Sequence, residues 1–386
     1  MKQNKFNIII IFIVALLVML PMFINSYHSN DDTMFHITNI IELTKNIKEN
    51  VLFPNKIVGV IANNFGYGTN LFYPPLAHYT AAYLNFIINN PILSVKIIYL
   101  IGLFLSGVTM YYLSKKISKN NLVALVSAVI YMTLPYHLSD MYIRDASAEF
   151  LLFIFLPLII SGLYELFNGE EKKFYPLFII GYVGGMLSHF TMMIYFTVLI
   201  LLFLIFKFKE TIKHLKPFII SSIFILTIVS PFLITIIEHK LLGNYWVFFP
   251  GVMVQGTQFN GLLPYKFISF IDDFRINNIK YYIDIVTVIL IFGTILNYKK
   301  LKNKTYNYVI IFALICMFTA TLYCPWDFLP KSFRMIQYPW RMVTFVVLLV
   351  SLLAPLCITL LKDKNQKIVS IISIIGILTL TILGIT

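Results

Sequence analysis

The chain has 386 residues, of which 59% are hydrophobic and 16% aromatic against only 12% charged. That composition excludes an ordinary soluble domain, and uncharged apolar runs of roughly 17–22 residues recur at the length a bilayer-crossing helix requires. The formal charge of +13 calls for no nucleic-acid partner, because no basic stripe interleaved with stacking aromatics accompanies it.

The first run, Ile8 to Ile24, follows Met1-Lys2-Gln3-Asn4-Lys5. It is longer than the apolar core of a secretory signal and no small-x-small site follows it, so it reads as an uncleaved helix with its N-terminus inside. Further spans are expected at Val95–Leu113, Leu122–Leu138, Ala148–Phe167, Phe174–Ser188, Thr191–Phe206, Pro217–Ile237, Ile283–Asn297, Tyr306–Tyr323, Met342–Leu361 and Ile368–Ile385. With the first they make eleven, an all-α polytopic membrane protein forming one domain over residues 1–386.

Pro74–Ile88 is apolar enough to be a further span but carries His78 and Asn85. If it crossed, Lys115, Lys116 and Lys119 would fall outside and every later loop would invert. Laid on the outer interface, it lets the lysine-rich loops alternate inward as the positive-inside rule requires. The inner loops then hold the whole charge excess and no arginine, while all four arginines (Arg144, Arg275, Arg334, Arg341) fall outside. The chemistry is therefore expected on the extracytoplasmic face, in the loops at 26–94, 238–282 and 324–341 and the short loop carrying Arg144.

In the first of these, apolar Ile37, Ile40, Ile41, Ile47 and Val51 mostly keep helical spacing, which predicts an amphipathic helix on the membrane surface with Asp32 at its start. Asp32 and His36, i and i+4, then share a face. Asp31 or Asp32 could equally serve only as the N-cap of that helix. Tyr73 and His78, beside Pro74-Pro75, either touch a substrate or belong to the interfacial aromatic belt. Further on, Arg144 and Glu149 flank a helix start, with Arg144 expected to pair with Asp145, and His189 reads as a polar turn residue. Tyr338 and Trp340 read as interface anchors. Arg341 is harder to place, since a cation at an outer helix N-terminus runs against both the positive-inside rule and the helix dipole, and a negative partner would offset both.

Asp32-Thr33-Met34-Phe35-His36, Phe65-Gly66-Tyr67-Gly68 with Phe72-Tyr73-Pro74-Pro75-Leu76, Tyr142-Ile143-Arg144 followed by Glu149, and Ile336-Gln337-Tyr338-Pro339-Trp340-Arg341 occur in that order. Together they resemble the bacterial integral-membrane family labelled "6-pyruvoyl-tetrahydropterin synthase-related". That family looks like a branch of the GT-C glycosyltransferases, which move a sugar from a polyprenyl-phosphate carrier on the outer face of the membrane. The resemblance implies a GT-C-like fold with juxtamembrane helices in the first outer loop and a catalytic Asp there, the place Asp32 occupies. Family members commonly have Gly where Asp145 stands.

Glycosyl transfer from a lipid phosphate to a cell-envelope acceptor needs a base, a stabilised leaving phosphate and a site at the bilayer edge. On this reading Asp32 is the base, with His36 and Glu149 beside it as catalytic candidates. Arg144, Arg334 and Arg341 are candidates for the phosphate, since a planar guanidinium can grip it bidentately. Tyr73, His78 and Gln337 are candidates for substrate contact, and Phe248 with its neighbours for sugar or prenyl contact. Mg²⁺ or Mn²⁺ would suit Asp32 with Glu149, though nothing in the sequence demands a metal. The alternative is a transporter or flippase of a lipid-linked saccharide, against which stands the lack of ionisable residues at span centres.

Overall fold

The computed structural model describes residues 2–24, 31–51, 55–60, 65–243, 261–268, 279–301, 305–330 and 336–385. Arg275, Arg334 and Phe248 lie outside the described residues. Helices dominate: α1 (Lys2–Ile24), α2 (Thr33–Lys48), α3 (Leu76–Ile88), α4 (Pro91–Ser118), α5 (Asn121–Thr133), α6 (Pro135–Tyr142) and α7 (Ser147–Phe167). They continue as α8 (Glu171–Ser188), α9 (Phe190–Phe206), α10 (Leu215–Leu242), α11 (Ile285–Leu296), α12 (Thr305–Thr319), α13 (Val343–Leu353) and α14 (Asp363–Ile385). Among the described residues, extended pairing is confined to isolated bridges such as Val58 with Tyr67.

Each expected span falls on helix, but the helices differ in reach. Among the described residues six helical stretches are long and apolar enough to cross a membrane, α13 counting with its flanking turns as Pro339–Leu360, and up to seven if α5 and α6, bent by 41° at their junction, count as one broken span. α9, α11 and α12 are apolar but shorter.

The breaks have local causes. Leu134 precedes Pro135 and takes an extended ψ of 133°, as steric clash with the proline ring demands, so α5 stops and α6 starts anew with Pro135 in its first turn. The bend turns Tyr136 and Asp140 into the protein interior, where both are fully buried. α7 packs closely on α8 because glycines on each helix admit the other's backbone and large side chains. A Cβ on Gly181 would lie 3.0 Å from the Ile159 amide nitrogen and 3.2 Å from the Phe155 carbonyl oxygen, so the two backbones approach as only glycine permits.

The amphipathic α2 forms as its spacing predicts and lies on α3, burying Ile40, Leu43 and Ile47. Asn85 donates to Thr44 across that contact at 2.9 Å, which satisfies a polar group that would otherwise be costly to bury. α3, covering the expected interfacial segment, ends at Asn89 in the left-handed conformation and turns into α4 through Asn90, whose side chain caps the amide of Leu93.

Candidate active site

Glu149 lies at the centre of a buried polar cluster. It stands in the first turn of α7 and is 1% exposed. Its Oε1 accepts hydrogen bonds from the Tyr136 hydroxyl at 2.7 Å and the Thr344 hydroxyl at 2.8 Å. Its Oε2 accepts from Arg144 Nη1 at 2.8 Å and lies 3.8 Å from Arg341 Nε. Arg144 also bridges to Asp140, one helical turn earlier. The expected pairing of Arg144 with Asp145 is thus replaced. Asp145 sits at φ 56° and accepts a hydrogen bond from the Tyr99 hydroxyl, because the left-handed turn carries its carboxylate away from the arginine.

The arginines rest on an aromatic shelf. The Arg144 guanidinium is 4.8 Å from the centre of the Trp340 ring, and that of Arg341 is 5.3 Å from the Tyr338 ring and 5.8 Å from Trp340. Tyr338 and Trp340 stack at 5.1 Å. Cation–π contacts of this kind strengthen as water is excluded. Arg341 Nη1 donates to the Ile336 carbonyl at 3.2 Å and the Gln337 side-chain oxygen at 3.1 Å, so Gln337, itself at φ 63°, orients the arginine. Arg341 Nε is buried and makes no hydrogen bond among the described residues.

Asp32 reaches this cluster from the first loop. Its amide donates to the Arg144 carbonyl at 3.1 Å, which pins the start of α2 to the arginine's own backbone. Although Asp32 occupies the cap position of α2, its side chain makes no capping hydrogen bond, and it remains exposed. The surrounding protein nevertheless desolvates the carboxyl enough to raise its pKa, with His36 and Arg144 pulling the other way. Burial likewise pushes the Tyr73 hydroxyl up; Asp32 and Asp145 reinforce that shift, and Arg341 and Arg144 oppose it.

His36 and His78 form a buried pair beneath Asp32, Nδ1 to Nε2 at 2.7 Å. The His78 ring stacks on Tyr73 at 4.8 Å, and Phe35 meets all three rings edge-on. Desolvation holds both histidines below the ordinary imidazole value, and for His78 the neighbouring His36 adds to it. In this arrangement His78 packs beneath Tyr73, and His36 touches Ser147 at 3.4 Å. His189 belongs here as well: burial lowers its pKa to about 4, while Glu149 opposes the shift and Arg341 and Arg144 add to it. Its Nδ1 accepts from the Met192 amide at 3.3 Å, so the expected turn residue caps α9 within reach of the arginines' field.

Sequence reading missed Tyr136, Asp140, Thr344 and the role of Trp340. Two signals were present: Arg144 follows Asp140 by four residues, just past the end of α6, and Thr344 follows Arg341 by three residues at a helix start. The residues do not fit a metal. Both Glu149 oxygens are committed to hydrogen bonds, and among the described residues no three His, Cys, Asp or Glu side chains gather to hold an ion.

A chain of membrane-length apolar helices that buries an arginine–carboxylate cluster beside an accessible carboxylate is a polytopic membrane protein with a built polar site. It belongs to the 6-pyruvoyl-tetrahydropterin synthase related domain family of membrane proteins, whose model matches residues 71–385. It is also 25% identical over 347 residues to a protein of Lactococcus lactis subsp. cremoris (strain MG1363) described as uncharacterized, a match covering 84% of this chain and 55% of that one. The chain thus spans about half the length of that relative.

Proposed function

We propose that this protein is a GT-C-like membrane glycosyltransferase that moves a sugar from a polyprenyl-phosphate donor to a cell-envelope acceptor on the extracytoplasmic face. The eleven-span topology with a cytoplasmic N-terminus belongs to the same proposal. The observation that carries it is an accessible carboxylate (Asp32) pinned through its amide to the backbone of Arg144, whose guanidinium shares the carboxylate of Glu149 with Arg341.

In this mechanism the acceptor hydroxyl gives its proton to Asp32 as its oxygen bonds to the anomeric carbon. The bond from that carbon to the phosphate oxygen breaks, and the lipid phosphate leaves with the electron pair. A raised pKa makes Asp32 a stronger base. Arg341, with its unused Nε, binds the departing phosphate, and Glu149 holds both guanidiniums in place from behind. Tyr73 lines the space between base and phosphate, and the stack of Tyr73, His78 and Phe35 keeps water from the far side. No step runs through a metal ion.

The test is turnover of purified full-length protein on radiolabelled polyprenyl-phosphoryl sugars. Release of polyprenyl phosphate that depends on added acceptor supports the proposal. Binding of the lipid-linked sugar without turnover, together with its passage across proteoliposome membranes, would favour a transporter instead.

A further inference from the structure

Towards the C-terminal end of α7, away from Glu149 in its first turn, lies an apolar cavity of about 250 Å³. Helices α4, α7, α9, α12 and α13 wall it with residues such as Leu163, Phe196, Phe312, Phe345 and Leu349. Its polar lining is confined to one end, where Asn168, Lys207 and Thr305 meet at the termini of α7, α9 and α12. There the Lys207 ammonium stands 5.1 Å from the Phe167 ring and 5.6 Å from the Tyr308 ring.

This shape fits an amphiphile, apolar along its length and charged at one end. The charge favoured there is negative. Lys207 stands over the mouth, and the segments around it carry exposed Lys172, Lys173, Lys209, Lys213 and Lys216 against exposed Glu170, Glu171 and Glu210, with Lys173 paired to Glu170. The carbonyl ends of α7 and α9 oppose an anion, but these lysines outnumber them, and the N-terminus of α12 adds to the attraction. Besides the Phe167 and Tyr308 rings, Lys207 is paired among the described residues with Glu210, at 2.8 Å, an ion pair whose acid is largely exposed and so worth little and easily exchanged. We propose that the cavity holds one acyl chain of an anionic bilayer phospholipid whose phosphate is bound by Lys207. The site is separate from the candidate active site and stands whether or not glycosyl transfer is correct.

The test uses purified full-length protein in detergent, with native mass spectrometry to count retained lipid and thermal unfolding to measure its effect. The probes are dioleoyl phosphatidylglycerol, dioleoyl phosphatidylcholine and glycerol phosphate. Phosphatidylglycerol should be retained and raise the unfolding temperature more than phosphatidylcholine, and glycerol phosphate should do neither. Lys207→Gln should weaken phosphatidylglycerol binding about tenfold, the worth of one charge-assisted hydrogen bond, and leave phosphatidylcholine unchanged. Leu349→Trp, which fills the cavity, should weaken both lipids. If that variant fails to fold, Lys207→Gln decides alone. Equal retention of the two phospholipids by the unaltered protein, or undiminished phosphatidylglycerol binding by Lys207→Gln, would overturn the proposal, as would glycerol phosphate binding as well as the lipid.

Discussion

The amide of Asp32 donates to the carbonyl of Arg144 at 3.1 Å, joining residues 112 positions apart. One hydrogen bond thereby fixes the accessible carboxylate relative to the buried arginine, and a base and an anion site are held in register by backbone. Side chains can then be altered without losing that register.

Asp32→Asn should lower donor turnover by about two to four orders of magnitude, the usual cost of removing a general base. Stability should hardly move, because the Asp32 side chain makes no capping hydrogen bond. In the unaltered protein the acid limb of the proposed activity's rate profile should lie above the ordinary carboxyl value of 3.8, with activity falling as Asp32 becomes protonated. Turnover and thermal unfolding of the two proteins, measured side by side, check this. Full activity in the Asn variant would leave Asp32 with no part in the chemistry.

Arg341→Lys keeps the charge but loses the planar fork and the bond to the Gln337 oxygen. Affinity for polyprenyl phosphate should fall about tenfold or more, and Arg341→Ala should lower it further. Equilibrium binding of the labelled lipid gives the answer. Equal affinity in the Lys variant would reduce Arg341 to a partner of Glu149.

At Asp145, φ is 56°, a conformation that costs most side chains about 1–2 kcal/mol. Replacement by Ala or Gly removes the bond from Tyr99 equally, so Asp145→Gly should be more stable than Asp145→Ala by about 1 kcal/mol. Comparison of their unfolding temperatures tests the backbone term alone.

Three histidines held below their ordinary value of 6.5 make the fold acid-sensitive. Each is neutral when buried and charges more readily once unfolded. Stability is therefore whole above pH 6.5 and falls as the pH drops towards the folded-state values, about 4 for His189. Each histidine contributes at most about 1.4 kcal/mol per pH unit in that window. A thermal-unfolding series from pH 8 to 4 should show that decline, and His189→Gln should flatten it. An unchanged slope in the variant would remove His189 from the account.

Single cysteines at Phe65 and Phe328, 92% and 90% exposed, should react with a membrane-impermeant reagent on intact cells. Cysteines at Lys209 and Lys300 should react only after permeabilisation. Labelling at 209 or 300 from outside would break the proposed orientation.

Much of the helical pattern was legible because twenty-residue apolar runs and an amphipathic repeat leave few alternatives. The α2 face carrying Ile40 and Ile47 follows from periodicity, whereas the packing of α3 against it does not, because loop charge addresses only whether that segment crosses. How many runs cross was less legible, since α9, α11 and α12 match a span in apolarity but fall short in helix length. Arg341 was conspicuous for standing against two statistical rules, and the structure gives it a carboxylate neighbour in Glu149. Thr344, Tyr136 and Trp340 were hidden because a hydroxyl or indole within an apolar run looks like span or belt. Only the bend at Pro135 and the turn at Gln337 bring them to Glu149, and neither angle can be read from residue types.

The most direct measurement is an experimental structure of the full-length protein bound to polyprenyl phosphate in lipid nanodiscs. The phosphate should lie against Arg341 and Arg144, within hydrogen-bonding distance of Arg341 Nε and beside the Asp32 carboxylate, with the prenyl chain leaving towards the bilayer. A phosphate bound away from both arginines, with Glu149, Arg144 and Arg341 still closed on one another, would contradict it.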